Sequence, residues 1–297
     1  LQQDEKNKRH VYAKFIGRHM GRTRWFSRRS KRKPLYKETK VSLLDTIETG
    51  IKVPAIKINV AGTDGIGKTT FASNAPRPIF IKTEEGTNFL DVSSFKLCKS
   101  YDDIVKQLQT LYEEKHDYKT VVFDTTDWAE KLVQQKVCDM HSVKSIESLG
   151  FGKGYTESAE LYRRILKMFD LLLEKKMNVI LLSHVAIRTF NDPEREPYDR
   201  WEMSLHKKVS SMIREWVDFN LFANYEVSTR TSGQGFNEKT RAVSYGKRKL
   251  FHKFTAAFDA KSRVDLGNAP LDLDFNAFMT AFKESLKSKM KEKKNVG

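Results

Sequence analysis

Cysteine is scarce: Cys98 and Cys138 are the only two in 297 residues. Two thiols cannot build a disulfide framework or a cysteine-rich zinc module. A reducing, cytoplasmic setting is therefore expected. Seven prolines and fifteen glycines are too few for collagen-like or low-complexity classes. Long apolar runs are missing as well. The stretch Val179-Ile180-Leu181-Leu182 is strand-sized, so no membrane partner is expected. The seven histidines show neither H-x-x-x-H nor H-E-x-x-H spacing, which leaves no histidine metal motif. Nothing in the sequence suggests a serine or cysteine nucleophile. Residues 1–41 lack the continuous apolar segment of a secretory signal.

What is present is a chain with 39% hydrophobic and 31% charged residues. That is enough for a sizeable core and too apolar for wholesale disorder. The formal net charge is +16, which invites a nucleic-acid reading. The charge is unevenly placed. Residues 1–41 hold fourteen Lys/Arg and three acids, a net +11, and residues 283–297 carry +4. The stretch between them is left with +1. The run Arg28 to Lys33 reads either as a nucleic-acid arm or import signal or, the favoured reading, as a solvated leader. The chain starts at Leu1, and Met20 is a plausible start, so residues 1–41 are expected to be a basic extension of uncertain origin.

From Ser42 onward strands and helices alternate. Lys57 to Gly62, Pro78 to Thr83, Ser94 to Ser100, Thr120 to Asp124 and Asn178 to His184 read as strands. Tyr101 to Glu114, Asp127 to Met140 and the stripe Tyr162, Ile165, Leu166, Phe169, Leu172, Leu173 read as helices. Ser100 and Asp103 resemble a capping box. Arg188 to Arg200 reads as a long polar segment, Leu205 to Arg214 as a helix and Val217 to Val227 as a strand. Ser232 to Asn237 reads as a flexible loop, and Phe275 to Leu286 as a C-terminal amphipathic helix. Doubly buried strands alternating with helices predict an α/β fold with a mainly parallel central sheet and extra C-terminal antiparallel strands.

Gly62-Thr63-Asp64-Gly65-Ile66-Gly67-Lys68-Thr69 matches G-x-x-x-x-G-K-[ST] between a strand and a helix. Glycines let backbone N–H groups approach phosphate oxygens closely. Lys68 would reach the β- and γ-phosphates, Thr69 would ligate Mg²⁺, and Thr70 continues the helix start. ATP and Mg²⁺ are therefore the expected ligands. Asp124 ends an apolar strand and is the expected second metal partner; the competing reading is a helix cap. Hydrolysis also needs a carboxylate that orients water. Glu84, Glu85 and Asp127 are the candidates, and Glu84 is preferred because no acid directly follows Asp124. His184 ends its strand where it could sense the γ-phosphate, or could simply pair with Asp124 or a backbone carbonyl.

The body of the chain, about Ser42 to Leu273, resembles phage-encoded RecA-like P-loop ATPases of the single-strand annealing and recombination type. The similar segments include Gly62 to Ala72, Pro78 to Thr87, Thr120 to Trp128, Gly150 to Tyr155, Met177 to Val185, Tyr198 to Lys208, Arg214 to Glu226 and Phe258 to Arg263. The resemblance implies a RecA-like ATP-binding domain over 42–273, flanked by the 1–41 extension and a helix with a basic tail over 274–297. It implies action on single-stranded DNA in the host cytoplasm, a possible homo-oligomer and a possible single-strand-binding protein as partner. Glu84 matches the place of the catalytic glutamate and Asp124 that of the Walker-B aspartate. Lys261 and Arg263 are candidates for residues reaching a neighbouring subunit's γ-phosphate. Lys82 departs from the Asp such strands often carry. The loops Ser148 to Thr156 and Arg188 to His206 are where DNA would lie. The second interleaves Arg188, Arg195 and Arg200, with Lys207 and Lys208 just beyond, among Phe190, Tyr198 and Trp201, but its five acids cancel much of the charge. Two alternatives stay open: a small-molecule, nucleotide-type P-loop kinase, and a non-hydrolysing nucleotide-gated module.

Overall fold

The computed structural model describes residues 43 to 295 other than 48, 52, 88 and 233–238. The basic run Arg28 to Lys33, Met20 and most of the expected loop Ser232 to Asn237 lie outside the described residues. The chain divides into two units, Leu1–Gly50 and Ile51–Gly297. In the first, the described residues include a 3-10 turn at Leu43–Thr46.

Among the described residues, the second unit is built on ten strands. They are β1 (Lys57–Gly62), β2 (Pro78–Lys82), β3 (Ser93–Ser94), β4 (Thr120–Asp124), β5 (Asn178–Phe190), β6 (Tyr198–Met203), β7 (Phe219–Ser232), β8 (Lys239–Phe251), β9 (Lys261–Ser262) and β10 (Leu271–Asp272). The helices are α1 (Lys68–Ser73), α2 (Tyr101–Glu113), α3 (Thr126–His141), α4 (Lys153–Glu174), α5 (Lys207–Trp216) and α6 (Phe275–Asn295). The sheet order is β10-β8-β7-β1-β5-β4-β2-β3. Strands β7, β1, β5, β4, β2 and β3 run parallel. Strands β8, β10, β6 and β9 join antiparallel. This is the mainly parallel α/β architecture with added antiparallel strands that strand–helix alternation predicts, and it agrees with the P-loop NTPase fold that the resemblance implies.

The strands are apolar on both sides because both sides are covered. Val121 and Phe123 point into one layer with Ile104, Val133, Tyr162, Phe169 and Ile213, from α2, α3, α4 and α5. Val122, Ile180 and Leu182 point into the other with Phe71 of α1 and Phe275, Phe278 and Phe282 of α6. There the rings of Phe71 and Phe275 meet edge-on at 5.5 Å, and those of Phe219 and Phe278 at 5.1 Å. Across the sheet runs a buried polar chain. Asn59 donates to Asn220 (2.7 Å), Ser183 donates to Asn59 (2.7 Å), and Ser183 shares a hydrogen bond with Thr126 (2.7 Å). A register slip would strand these groups unpaired in the core, so the chain fixes how β7, β1 and β5 align.

Three sequence expectations change. The segment from Ser94 to Ser100 pairs as a strand only over Ser93–Ser94. Beyond it, Cys98 N–H still donates to the Lys82 carbonyl. The polar segment Arg188 to Arg200 is not a loop: β5 runs on to Phe190 and returns as β6, with Arg188 opposite Arg200. Helix α5 begins at Lys207 rather than Leu205, because the His206 ring accepts the Lys208 N–H as its cap. The capping motif at Ser100 forms, with Asp103 N–H donating to Ser100 Oγ at 3.1 Å. The Asp103 carboxylate in turn accepts the N–H of Lys99 at 2.9 Å. Among the described residues, no helix is long and apolar enough to cross a membrane.

Candidate nucleotide site

Strand β1 ends at Gly62 between β5 and β7, with His184 and Ala223 as its register partners. The chain then turns through Thr63, Asp64, Gly65 and Ile66 into α1. Gly67 sits at φ 108°, a left-handed conformation that favours glycine, and serves as the helix cap. Gly62 is required by space. A Cβ there would lie 2.7 Å from the Ala223 carbonyl oxygen.

Lys68 opens α1 and is buried to 5% exposure. Its ammonium donates to the carbonyls of Gly62 and Thr63, both at 3.0 Å, and so spans the loop it belongs to. Burial lowers its pKa, against the pull of Asp64, Asp124, Asp127 and Glu84. Thr69 Oγ1 lies 3.2 Å from Asp124 Oδ2. The two residues expected from the sequence to share a metal thus sit side by side. Burial pushes the Asp124 carboxyl up, and its bond to Thr69 and the charge of Lys68 oppose that. Among the described residues, no group of three or more His, Cys, Asp or Glu could hold a metal ion unaided. Thr70 also lines the cleft.

The three carboxylate candidates separate clearly. Strand β2 is tied to the end of β4 by Thr83, whose hydroxyl donates to the Thr125 carbonyl (2.7 Å) and accepts the Thr125 N–H (2.8 Å). That staple directs Glu84 into the cleft, 3.6 Å from His184 Nε2. Glu85 is exposed at the rim. Asp127 is fully engaged: Oδ1 accepts the His184 N–H at 3.1 Å, and Oδ2 lies 2.9 Å from His184 Nδ1. His184 therefore pairs with Asp127 rather than with Asp124. Its Nε2 points to Glu84 and to Asp64 Oδ1 at 3.2 Å.

Electrostatics follow from this line of groups. Burial raises the Glu84 carboxyl, with the neighbouring carboxylates reinforcing the shift and His184 opposing it. Burial works to lower His184, but the bond and charge of Asp127 more than reverse it, and the net shift is upward. Burial likewise works to raise Asp127, and His184 overcomes it to hold the carboxyl below its usual range.

Two residues escaped the sequence reading. Arg248 of β8 donates to the Ile66 carbonyl (3.3 Å) and lies over the open face of Gly67. It is distant in sequence and belongs to no motif, so only the fold reveals it. Glu130 of α3 is buried, accepts the His206 N–H with both oxygens, and is pushed up to about 7 by burial. A helix-face acid gave no sequence signal.

The structure brings together Gly62, Asp64, Lys68, Thr69, Glu84, Asp124 and His184. It does not bring Lys261 and Arg263 there. They lie beside the start of β7, at the opposite end of the sheet from the phosphate loop. Lys261 donates to the Arg214 carbonyl, and Arg263 pairs with Asp218 at 2.9 Å. Lys82 ends β2 in register with Asp124. The two expected DNA loops meet each other. The Tyr155 ring stacks on His206 at 4.4 Å, and Lys208 donates to Thr156. Gly150, Phe151 and Gly152 all have positive φ and hold the Phe151 ring fully in solvent.

The cleft over the loop measures about 750 Å³ and is lined also by Phe89, Leu90 and Trp128. That is the size range of nucleotide and cofactor sites. Comparison with known proteins agrees. A prophage relative, the SPbeta prophage-derived uncharacterized protein YorG of Bacillus subtilis (strain 168), is 27% identical over 135 residues. The matched stretch is 43% of this chain and 41% of YorG, so this chain spans well under half of that relative's length. The family described as an AAA domain matches residues 55–264, more than two thirds of the sequence. The chain belongs to the AAA-domain family, nucleotide-binding P-loop proteins of the ATPase type.

Proposed function

We propose that this protein hydrolyses ATP with Mg²⁺ and couples hydrolysis to single-stranded DNA in phage recombination or strand annealing. The observation that carries the ATPase reading is the line Asp127–His184–Glu84 at the γ-phosphate end of the phosphate loop. The backbone of Gly65 to Lys68 and the Lys68 ammonium would hold the phosphates, and Thr69 and Asp124 would hold the metal. Mg²⁺, when bound, neutralises phosphate charge. Glu84 would accept the proton of the attacking water, and its raised pKa suits a base that must take up a proton. His184, held by Asp127, would place a hydrogen-bond donor where charge develops on the transferred phosphoryl group.

The DNA reading is supported by the meeting of the two loops on this edge. Strand β5 carries His184 and then enters the hairpin, and Ser204 beyond the hairpin donates back to the His184 carbonyl at 2.8 Å. Phe151 offers an exposed ring for base stacking. A homo-oligomer is part of the same proposal. Lys261 and Arg263 could reach a phosphate only in another copy, and Phe89 and Trp128 leave apolar surface on the lip of the cleft. The test is phosphate release with and without single-stranded DNA, on the parent chain and on Glu84→Gln. The variant should keep ATP bound and lose turnover by at least about a hundredfold. Full turnover in Glu84→Gln removes the assigned base. Phosphate transfer to a nucleotide acceptor in place of release replaces the hydrolase with a kinase.

A further inference from the structure

Between the β5–β6 hairpin and α5 lies a second cavity, of about 160 Å³. Its lining gathers Arg188 and Phe190 of β5, Arg200 and Trp201 of β6, and Lys207 and Arg214 of α5. Lys207 and Arg214 are seven positions apart, so α5 presents both on one face. Arg188 and Arg200 are direct cross-strand partners. Like charges so placed repel, and a hairpin gains nothing from them alone.

Arg200 is 6% exposed. Its Nε lies 3.1 Å from Glu202 Oε1 but makes no hydrogen bond. Its guanidinium lies 4.3 Å from the centre of the Phe190 ring. The Nε of Arg214 is also buried without a hydrogen-bond partner, although its Nη1 pairs with Asp259. Arg188, an exposed residue of the lining, donates to the Leu205 carbonyl at 3.1 Å. Glu202 and Asp259 are the acids of the lining, so four cations face two anions. Each of the two guanidinium groups has an acid beside it, yet a buried Nε–H without a hydrogen bond is costly, and an oxyanion would satisfy it.

We propose that this cavity is a second anion site, separate from the phosphate loop, that takes a phosphate group. The excess of two positive charges matches one phosphate dianion or two successive phosphodiesters. The aromatic rings beside it suit a phosphate that carries a base. Free phosphate and the backbone of a single strand share this chemistry. Only the strand source rests on the DNA reading above.

The test uses the full chain and two probes, inorganic phosphate by calorimetry and a dye-labelled oligothymidylate by anisotropy. Arg188→Gln and Lys207→Gln remove exposed cations and leave the core intact; Arg200→Gln removes the buried one. Each should weaken binding by about tenfold or more, while Lys68→Ala should leave this binding in place. Loss in both arms supports a general phosphate site, and loss with the oligonucleotide alone supports a backbone site. Binding that is unchanged in Arg188→Gln and Lys207→Gln, or abolished by Lys68→Ala, overturns the proposal. ATP turnover of the parent chain, measured separately, reports on the hydrolase reading and not on this cavity.

Discussion

Replacing Asp127 by asparagine tests the histidine line without changing its shape. Asparagine Oδ1 can still accept the His184 N–H, now 3.1 Å from Asp127 Oδ1. Its amide nitrogen would then face His184 Nδ1, now 2.9 Å from Asp127 Oδ2. An amide N–H₂ can only donate, so Nδ1 must become an acceptor and the ring proton moves to Nε2. The ring also loses the carboxylate that favours its charged form. Side-chain exposures of 18% and 8% keep this pair largely out of solvent. A hydrogen bond to a charged group in such a place contributes about 1.5–3 kcal/mol. If all of it acts on the transition state, turnover falls roughly ten- to hundredfold.

The pH dependence adds a sign that a merely structural role would lack. In the parent, His184 titrates above its ordinary value of 6.5, and Asp127 below its ordinary 3.8. The histidine's share of stability is complete below 6.5 and fades as pH rises through its raised folded pKa. The aspartate's share is complete above 3.8 and fades as pH falls through its lowered one. The pair therefore supports the fold most fully between these two ordinary values. In Asp127→Asn the alkaline fall in turnover should move to lower pH. The assay is steady-state phosphate release from pH 5.5 to 9 at saturating ATP, with thermal unfolding over the same range. A variant with turnover within twofold of the parent and an unmoved pH profile would refute the role given to His184.

Three further perturbations follow from the same geometry. Lys68→Ala should reduce ATP affinity at least about tenfold, measured by calorimetry, because phosphate charge loses its buried counter-ion. Gly62→Ala should lower the melting temperature and nucleotide affinity together, since the new methyl would meet the Ala223 backbone oxygen at 2.7 Å. A stable Gly62→Ala protein with parental affinity would show that β1 and β7 can part without cost. Glu130 binds a proton more tightly folded than unfolded, moving from its ordinary 4.5 to about 7. Parent stability should thus fall as pH rises from 4.5 to 7, by up to about 3 kcal/mol from this group. Chemical denaturation of Glu130→Gln should lack that share of the decline, because its amide oxygen can still accept the His206 N–H.

Most of the fold was legible because it rests on local signals. Doubly apolar strands such as Val121-Val122-Phe123 and the stripe on α4 declare their own neighbours. The phosphate loop was legible for the same reason: its chemistry is contiguous. Where reading failed, the information was in pairing. Arg188 to Arg200 is polar enough to pass for a loop, yet its alternation serves a hairpin whose inner cations face a cavity rather than water. Asp127 stood beside the preferred Glu84 as a candidate base, and only the register of β5 against β4 shows that both of its oxygens are taken by His184. Arg248 reaches Gly67 from 181 positions away, through two strand pairings that no short motif encodes.

The register also changes what the net charge of +16 can mean. The stretch from 42 to 282 carries only +1, so its cations matter by position rather than by sum. Both β5 and β7 pair with β1 at Gly62 and then continue past it, to Phe190 and Ser232. Two hairpins therefore rise from the same edge of the sheet, one on each side of the phosphate loop. One sends Arg248 back to the loop itself, and the other gathers Arg188 and Arg200 over α5. A ligand held by the second hairpin and a nucleotide held by the loop would pull on one continuous strand, β5, through His184. The body's few uncompensated charges thus stand where they could sense both.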